Sequence, residues 1–344
     1  MRPTKLFNSQ RTDRKLTASQ RLRGQNHTRD TSHAVHPLPG TLEYEEHVRG
    51  EIEHYGSIFK EGSGRETLLQ PVPPSWVEVE SRAAALLRRS TGQYATGHVI
   101  NRLQHHSGVR MLSLGSGPGG VEIGFAKSAP LAQIVCIDLN PELLELGRLR
   151  AQESGLNVTF KEADLNTVEL PQTEFDLVFC HASLHHVIEL ERLAEQIKRC
   201  LRPGGELIIV DIVTRNGYQM WDETREVVEA LWKTLPSKFR LNHTGYAQPQ
   251  IDDEIWEADT SENSMECIRS EDILQVLQTT FTTELYVPYF SLCRRFFDTM
   301  YGPNYDLEVP LDRALLDTIW ELDLYYLDKK VLRPETFFGI YRRG

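Results

Sequence analysis

Between Val109 and Ile212 five short apolar runs alternate with amphipathic stretches, and this rhythm constrains the fold more than any other feature of the chain. The runs are 109–114, 133–138, 157–161, 175–180 and 206–212. Strands that alternate with helix-length segments predict a parallel sheet of βαβ units, because each crossover must cover a sheet face. The punctuation agrees. Asn140 and Pro141 suit the cap and first turn of a helix that Gly155 closes, and Leu190, Leu193, Ala194, Ile197 and Leu201 form one apolar stripe before "RPGG".

Elements on either side are less regular. "TLEYEEHVRGEIEHYGSIF" and "PPSWVEVESRAAALLRRS" predict two helices ahead of the sheet, the second opened by Pro74 and Ser75. Beyond Thr214 the pattern predicts a helix over 219–234, a polar acidic stretch at 242–265, a helix near 270–279 and a strand near 283–290. Leu311, Leu315, Ile319, Leu322 and Tyr326 then mark a helix, and "TFFGIYRR" reads as a last strand.

The first strand runs into "GSGPGG". Such a turn places backbone N–H groups and a helix N-terminus at the carboxyl edge of the sheet, open to an anionic or adenosyl ligand. Asp138 ends the next strand, where a carboxylate can accept both hydroxyls of a ribose. Asp164 in "EADLNT" follows the third strand and could accept from an adenine amino group. "FDLVFCHASLHH" delivers Cys180 to His186 to the same edge, and "LRPGGELIIVD" leads into strand five.

In this order and spacing the motifs resemble those of the class I S-adenosylmethionine-dependent methyltransferases, over about residues 109–214. The resemblance implies a doubly wound, mostly parallel, seven-stranded Rossmann-like α/β sheet whose antiparallel last strand, "TFFGIYRR", inserts beside the fifth. It implies S-adenosylmethionine as co-substrate, with Gly115, Ser116, Gly117, Gly119, Asp138, Leu139, Asp164, Leu165, Cys180 and His181 as cofactor-binding residues. The expected organisation is a disordered basic tail (1–40), an N-terminal helical cap (41–107), the binding domain (108–290) and a cap insertion with the last strand (291–344). Two departures stand out. Ser113 replaces an acidic residue common at the start of the first motif, and "CHAS" replaces the "NPPY"-type motif of nucleobase amine methylation.

His181, His185 and His186 lie where the fourth strand meets the methyl group. His185 is the nearest counterpart of the catalytic histidine of plant-type small-molecule O-methyltransferases, and is the candidate general base. His181 and His185 are four apart but lack a third ligand, so no metal site is expected. The acceptor pocket is expected from three segments, "EEHVRGEIEHYGSIF", residues 240–270 and residues 294–327, and the aromatics Tyr55, Phe59, Trp221, Tyr246, Trp256, Tyr301, Tyr305 and Trp320 suit an apolar or planar metabolite or simply form core. Arg294, Arg295 and Arg313 would meet an anionic group or pair with acids.

Charge limits the partners. The 344 residues carry a net charge of −11, yet residues 1–40 hold eight basic and two acidic side chains, so the remainder is near −17. That disfavours nucleic acid on the folded part. The tail also admits an organellar transit peptide, against which its acidic residues count. Five cysteines without a CxxC pair, and no long apolar run, point to a cytoplasmic protein without membrane insertion. The expected activity is methyl transfer to O, N or C of a small molecule in specialised metabolism. Alternatives are a methyltransferase acting on RNA or protein, a non-catalytic binding module and an NAD-dependent oxidoreductase. Oligomeric state is not read from the sequence.

Overall fold

The computed structural model describes residues 36–60, 72–244 and 248–343. Most of the basic segment, residues 1–35, lies outside the described residues, as does Tyr246. The described residues from Pro37 onward form one compact unit.

Three helices precede the sheet: α1 (Leu42–Lys60), α2 (Pro74–Thr91) and α3 (Ala95–Leu103). Pro74 does occupy the first turn of α2, but Ser75 does not cap it. Its hydroxyl is buried and donates to the Gly302 carbonyl at 2.9 Å, tying α2 to the C-terminal segment instead. Helix α3 is absent from the pattern reading, because its single buried face of His98, Val99 and Leu103 spans too few turns to show a period.

From β1 (Arg110–Leu114) the chain alternates through α4 (Gly120–Ser128), β2 (Gln133–Asp138), α5 (Pro141–Glu153), β3 (Val158–Glu162), β4 (Phe175–His181), α6 (Leu190–Cys200) and β5 (Leu201–Ile212). Asn140 caps α5, its side chain accepting from the N–H groups of Glu142 and Leu143. Strand β5 starts earlier than its apolar run, since Leu201 already pairs with Phe175. The register shift that follows takes up "RPGG", where Gly204 sits at φ +79°.

Then follow α7 (Asp222–Trp232), the short hairpin β6 (Leu241–Asn242) and β7 (Gln250–Ile251), α8 (Ile273–Thr280), β8 (Thr282–Tyr289), α9 (Cys293–Phe297), α10 (Pro310–Asp328) and β9 (Thr336–Arg342). The sheet has seven strands in the order β3-β2-β1-β4-β5-β9-β8. Strand β9 enters antiparallel between β5 and β8, with Ile208 opposite Ile340 and Val287 opposite Phe338, as the resemblance implied.

One apolar cluster fills each sheet face. Leu112, Val178, Leu207 and Phe337 belong to one, and Met111, Leu177, Ile208 and Phe338 to the other. These adjacent pairs alternate because neighbouring strand residues face opposite ways. A third cluster packs α2, α7, α9 and α10 together and absorbs Tyr301, Tyr305 and Trp320, so these aromatics are core. Trp221 is also buried, whereas Trp256 is exposed. All five cysteines are buried and unpaired. Among the described residues no helix is long and apolar enough to cross a membrane.

Candidate active site

The glycine turn between β1 and α4 is shaped by three left-handed residues, Gly115 (φ +67°), Gly117 (φ +52°) and Gly119 (φ +67°). A Cβ on Gly115 would lie 2.4 Å from the Ser183 Cβ, and one on Gly119 would lie 2.5 Å from the Phe160 ring. The turn is bare so that β4's end and β3's ring can close on it. The N–H groups of Gly115, Ser116, Gly117 and Gly119 are already bonded within the protein, where the sequence reading expected them open. Gly115 and Ser116 donate to the Ile137 carbonyl (2.8 and 3.1 Å), Gly117 to Asp138 Oδ2 (2.7 Å) and Gly119 to the Ser116 carbonyl (3.0 Å). These bonds, three to backbone carbonyls and one to the Asp138 side chain, tie the loop to the end of β2 and to itself.

Asp138 lies at the end of β2. Its Oδ1 accepts from the Asn140 N–H at 2.9 Å, and burial raises its pKa while these two backbone bonds oppose the rise. Ser113 is buried and donates to Glu122 Oε1 at 2.6 Å. A carboxyl from the first turn of α4 thus stands beside Ser113, with its pKa raised chiefly by burial, but it does not line the cavity. Asp164 accepts from the Asn166 N–H (2.8 Å) and from the Tyr44 hydroxyl (2.5 Å), which reaches over from α1.

Around these groups is a cavity of about 800 Å³, counting its open mouth. Gly115, Gly117, Asp138, Leu139, Asp164 and Leu165 all line it, which brings six of the ten expected cofactor residues together. Helix α1 closes it with Tyr44, Val48, Glu51, Ile52 and Tyr55. Ser116 and Gly119 belong to the turn but not to the cavity wall, Cys180 is fully buried in the core, and His181 is exposed at the strand end, stacked on Phe179.

The histidines separate sharply. His185 is buried and off the cavity, its Nδ1 2.5 Å from Asp211 Oδ1. Asp211 also accepts from the N–H groups of Ser183, Leu184 and Ile212 at 3.1, 2.8 and 2.8 Å. Burial pushes its pKa up, and the imidazole and backbone bonds more than reverse that. His186 is the one that lines the cavity. Its Nδ1 is 2.9 Å from Glu51 Oε1, its Nε2 3.7 Å from Glu266 Oε2, and the Tyr55 hydroxyl lies 3.5 Å away. Burial disfavours its charge, but Glu51 and Glu266 outweigh burial and raise its pKa to about 9. At neutral pH His186 is a cation, unsuited to accept a proton.

A second cavity, about 1250 Å³ with its mouth, adjoins the first and shares Glu51 and Tyr55 with it. Gly50 and His54 of α1, Thr260, Asn263, Ser264 and Glu266, and Asp298 to Met300 form its walls together with Tyr218, so the three segments expected to build an acceptor pocket do meet here. Glu51, Tyr44, Asp211 and Glu266 were not singled out in the sequence. Only Asp211 left a signal, as an acid inside the apolar run "LIIVDI".

A parallel sheet with a glycine turn, an acidic second strand and a cavity at its carboxyl edge defines a site for a nucleotide-like ligand. The sequence model of the methyltransferase domain matches residues 105–278, half of the chain. The chain belongs to that family and is an S-adenosylmethionine-dependent class I methyltransferase, with S-adenosylmethionine as its co-substrate. Similar proteins include an uncharacterized protein of Mycobacterium tuberculosis, 25% identical over 229 residues that make up 66% of this chain and 79% of that one. A demethylmenaquinone methyltransferase of Thermus thermophilus is 31% identical over 102 residues, 30% of this chain and 46% of that enzyme. Among solved structures, the geranyl diphosphate C-methyltransferase of Streptomyces coelicolor aligns over 90% of this chain and 100% of that one, at 13% identity and a TM-score of 0.47. The residues fit the methyl donor: a partly buried carboxylate and the glycines of the turn share one wall of a cavity that α1 roofs.

Proposed function

We propose that this enzyme methylates O, N or C of a small molecule held in the second cavity, with the donor held in the first. One observation carries the reading. The two cavities adjoin, with Glu51 and Tyr55 lining both as the wall between them, so that a donor in one and an acceptor in the other lie side by side at these residues. In this reading Asp138 receives the ribose hydroxyls, Asp164 shares its carboxylate between Tyr44 and the adenine amino group, and Gly115 and Gly117 pack against the donor. S-adenosylmethionine supplies a methyl group that is already activated. The protein's share is alignment, worth roughly 7–11 kcal/mol when two reactants are well oriented. His185, locked on Asp211 behind the wall, supports the wall rather than touching the acceptor. The quinone-related name of the Thermus relative does not define the acceptor, because that likeness covers 30% of this chain. The five unpaired cysteines suit a reducing compartment such as the cytoplasm.

The test is to incubate the enzyme with cell extract and methyl-labelled donor, then separate metabolites from RNA and protein. Label is expected among the metabolites and is expected to fall sharply in Asn263→Trp, which places an indole in the wall of the second cavity and obstructs it. Label found chiefly in RNA or protein, or an unaffected Asn263→Trp, would refute the reading.

A further inference from the structure

The loop that ends at Glu266 is clipped to the turn after β4. Cys267 takes a left-handed conformation (φ +53°), and the Ile268 N–H donates to the His185 carbonyl at 3.1 Å. The clip sets the Glu266 carboxylate in the second cavity, between two imidazoles. His185 Nε2 lies 3.8 Å from Oε1 and His186 Nε2 3.7 Å from Oε2. These distances attract without forming hydrogen bonds. Among the described residues, the contact that does reach the carboxylate is the weak donor Cys267 Sγ, at 3.4 Å. A partly buried carboxylate with lone pairs unspent is costly unless a donor satisfies it.

The rest of that cavity is lined by acids, with the cation of His186 set between Glu51 and Glu266. Its described walls add the carboxylates of Glu51 and Asp298 but no lysine or arginine. Arg295 is engaged by Glu335 at 2.9 Å, and Arg294 is held on Thr336 Oγ1 at 2.9 Å and over the Trp76 ring.

We propose that Glu266, fixed through the Asp211–His185 pair, orients the methyl acceptor, and that the acceptor offers it an O–H or N–H donor and carries no anionic group. The proposal rests on the reading that the acceptor occupies the second cavity. Glu266 would be a specificity-determining residue and His185 a positioning residue that acts through it. Burial alone would raise the Glu266 pKa, but His185 and His186 hold it below the usual carboxylate range, so that it accepts and does not donate. The titratable or charged groups around it are His185 and His186 from the turn after β4, Glu51, His54 and Tyr55 from α1, Cys267 from its own loop, Tyr218, Arg294 from α9, and Asp298 just after α9.

The experiment uses the full chain saturated with S-adenosylhomocysteine and four probes followed by saturation-transfer NMR: methyl glucoside, ethanolamine, and the anionic counterparts glucose 6-phosphate and glycolate. The glucoside or ethanolamine should bind, the choice between them telling a polyol from an amine, while both anions fail. Glu266→Gln should weaken the bound probe by about tenfold or more with S-adenosylhomocysteine affinity retained. In His185→Gln the acid limb of probe binding should move to higher pH, which a merely structural role would not produce. Binding of the anions as strong as that of their counterparts, binding of neither neutral nor cationic probe, or full binding in Glu266→Gln would overturn the proposal. So would a stoichiometric divalent metal in the purified protein, since donor atoms of His185, Glu266 and Cys267 lie within 4.8 Å of one another and Glu266 would then be a ligand. Probe binding that survives Asn263→Trp instead removes the cavity assignment beneath it.

Discussion

Asp138 and Gly115 show how far single residues carry the argument. The carboxylate of Asp138 organises the turn through Gly117 and faces the donor cavity, so Asp138→Ala should cost S-adenosylhomocysteine at least about tenfold in affinity, measured by calorimetry. Gly115→Ala would face two penalties, a φ of +67° and a Cβ 2.4 Å from that of Ser183. A loss of about 1–3 kcal/mol in denaturant unfolding is expected, together with weaker donor binding. Both residues were legible in the sequence because the turn and the strand end are local patterns. Choosing among the histidines was not. His185 and His186 are neighbours with the same side chain, and which one enters the cavity depends on Asp211 capturing His185 from another strand.

Helix α1 shows what a single element adds. Its Tyr44 and Glu51 reach Asp164 and His186, partners 120 and 135 positions away, and no periodicity within the helix announces either contact. The His186 ion pairs give this clasp a pH dependence. The folded-state pKa is raised, to about 9, from an ordinary 6.5. The stabilisation is therefore fully present below about pH 6.5 and fades as pH rises through about 9. Between about pH 7 and pH 10 the wild type should lose more melting temperature than His186→Gln in parallel thermal melts. Equal losses would show that the clasp does not titrate as described.

At the scale of the whole molecule, β9 closes the sheet. Six of its seven residues are buried, and it bonds to β5 on one side and β8 on the other. Truncation before Thr336 should abolish cooperative unfolding, read by circular dichroism, whereas deletion of residues 1–35 should leave turnover of a small-molecule acceptor intact. The five alternating strands and the donor turn were legible in the sequence, because apolar periods, caps and glycines are encoded within a few residues of one another, whereas the place of β9 beside β5 was implied only by the family resemblance. The wall between the two cavities did not. It is made where α1, the turn after β4 and the Glu266 loop converge, and only tertiary packing decides which carboxylate faces which imidazole across such separations.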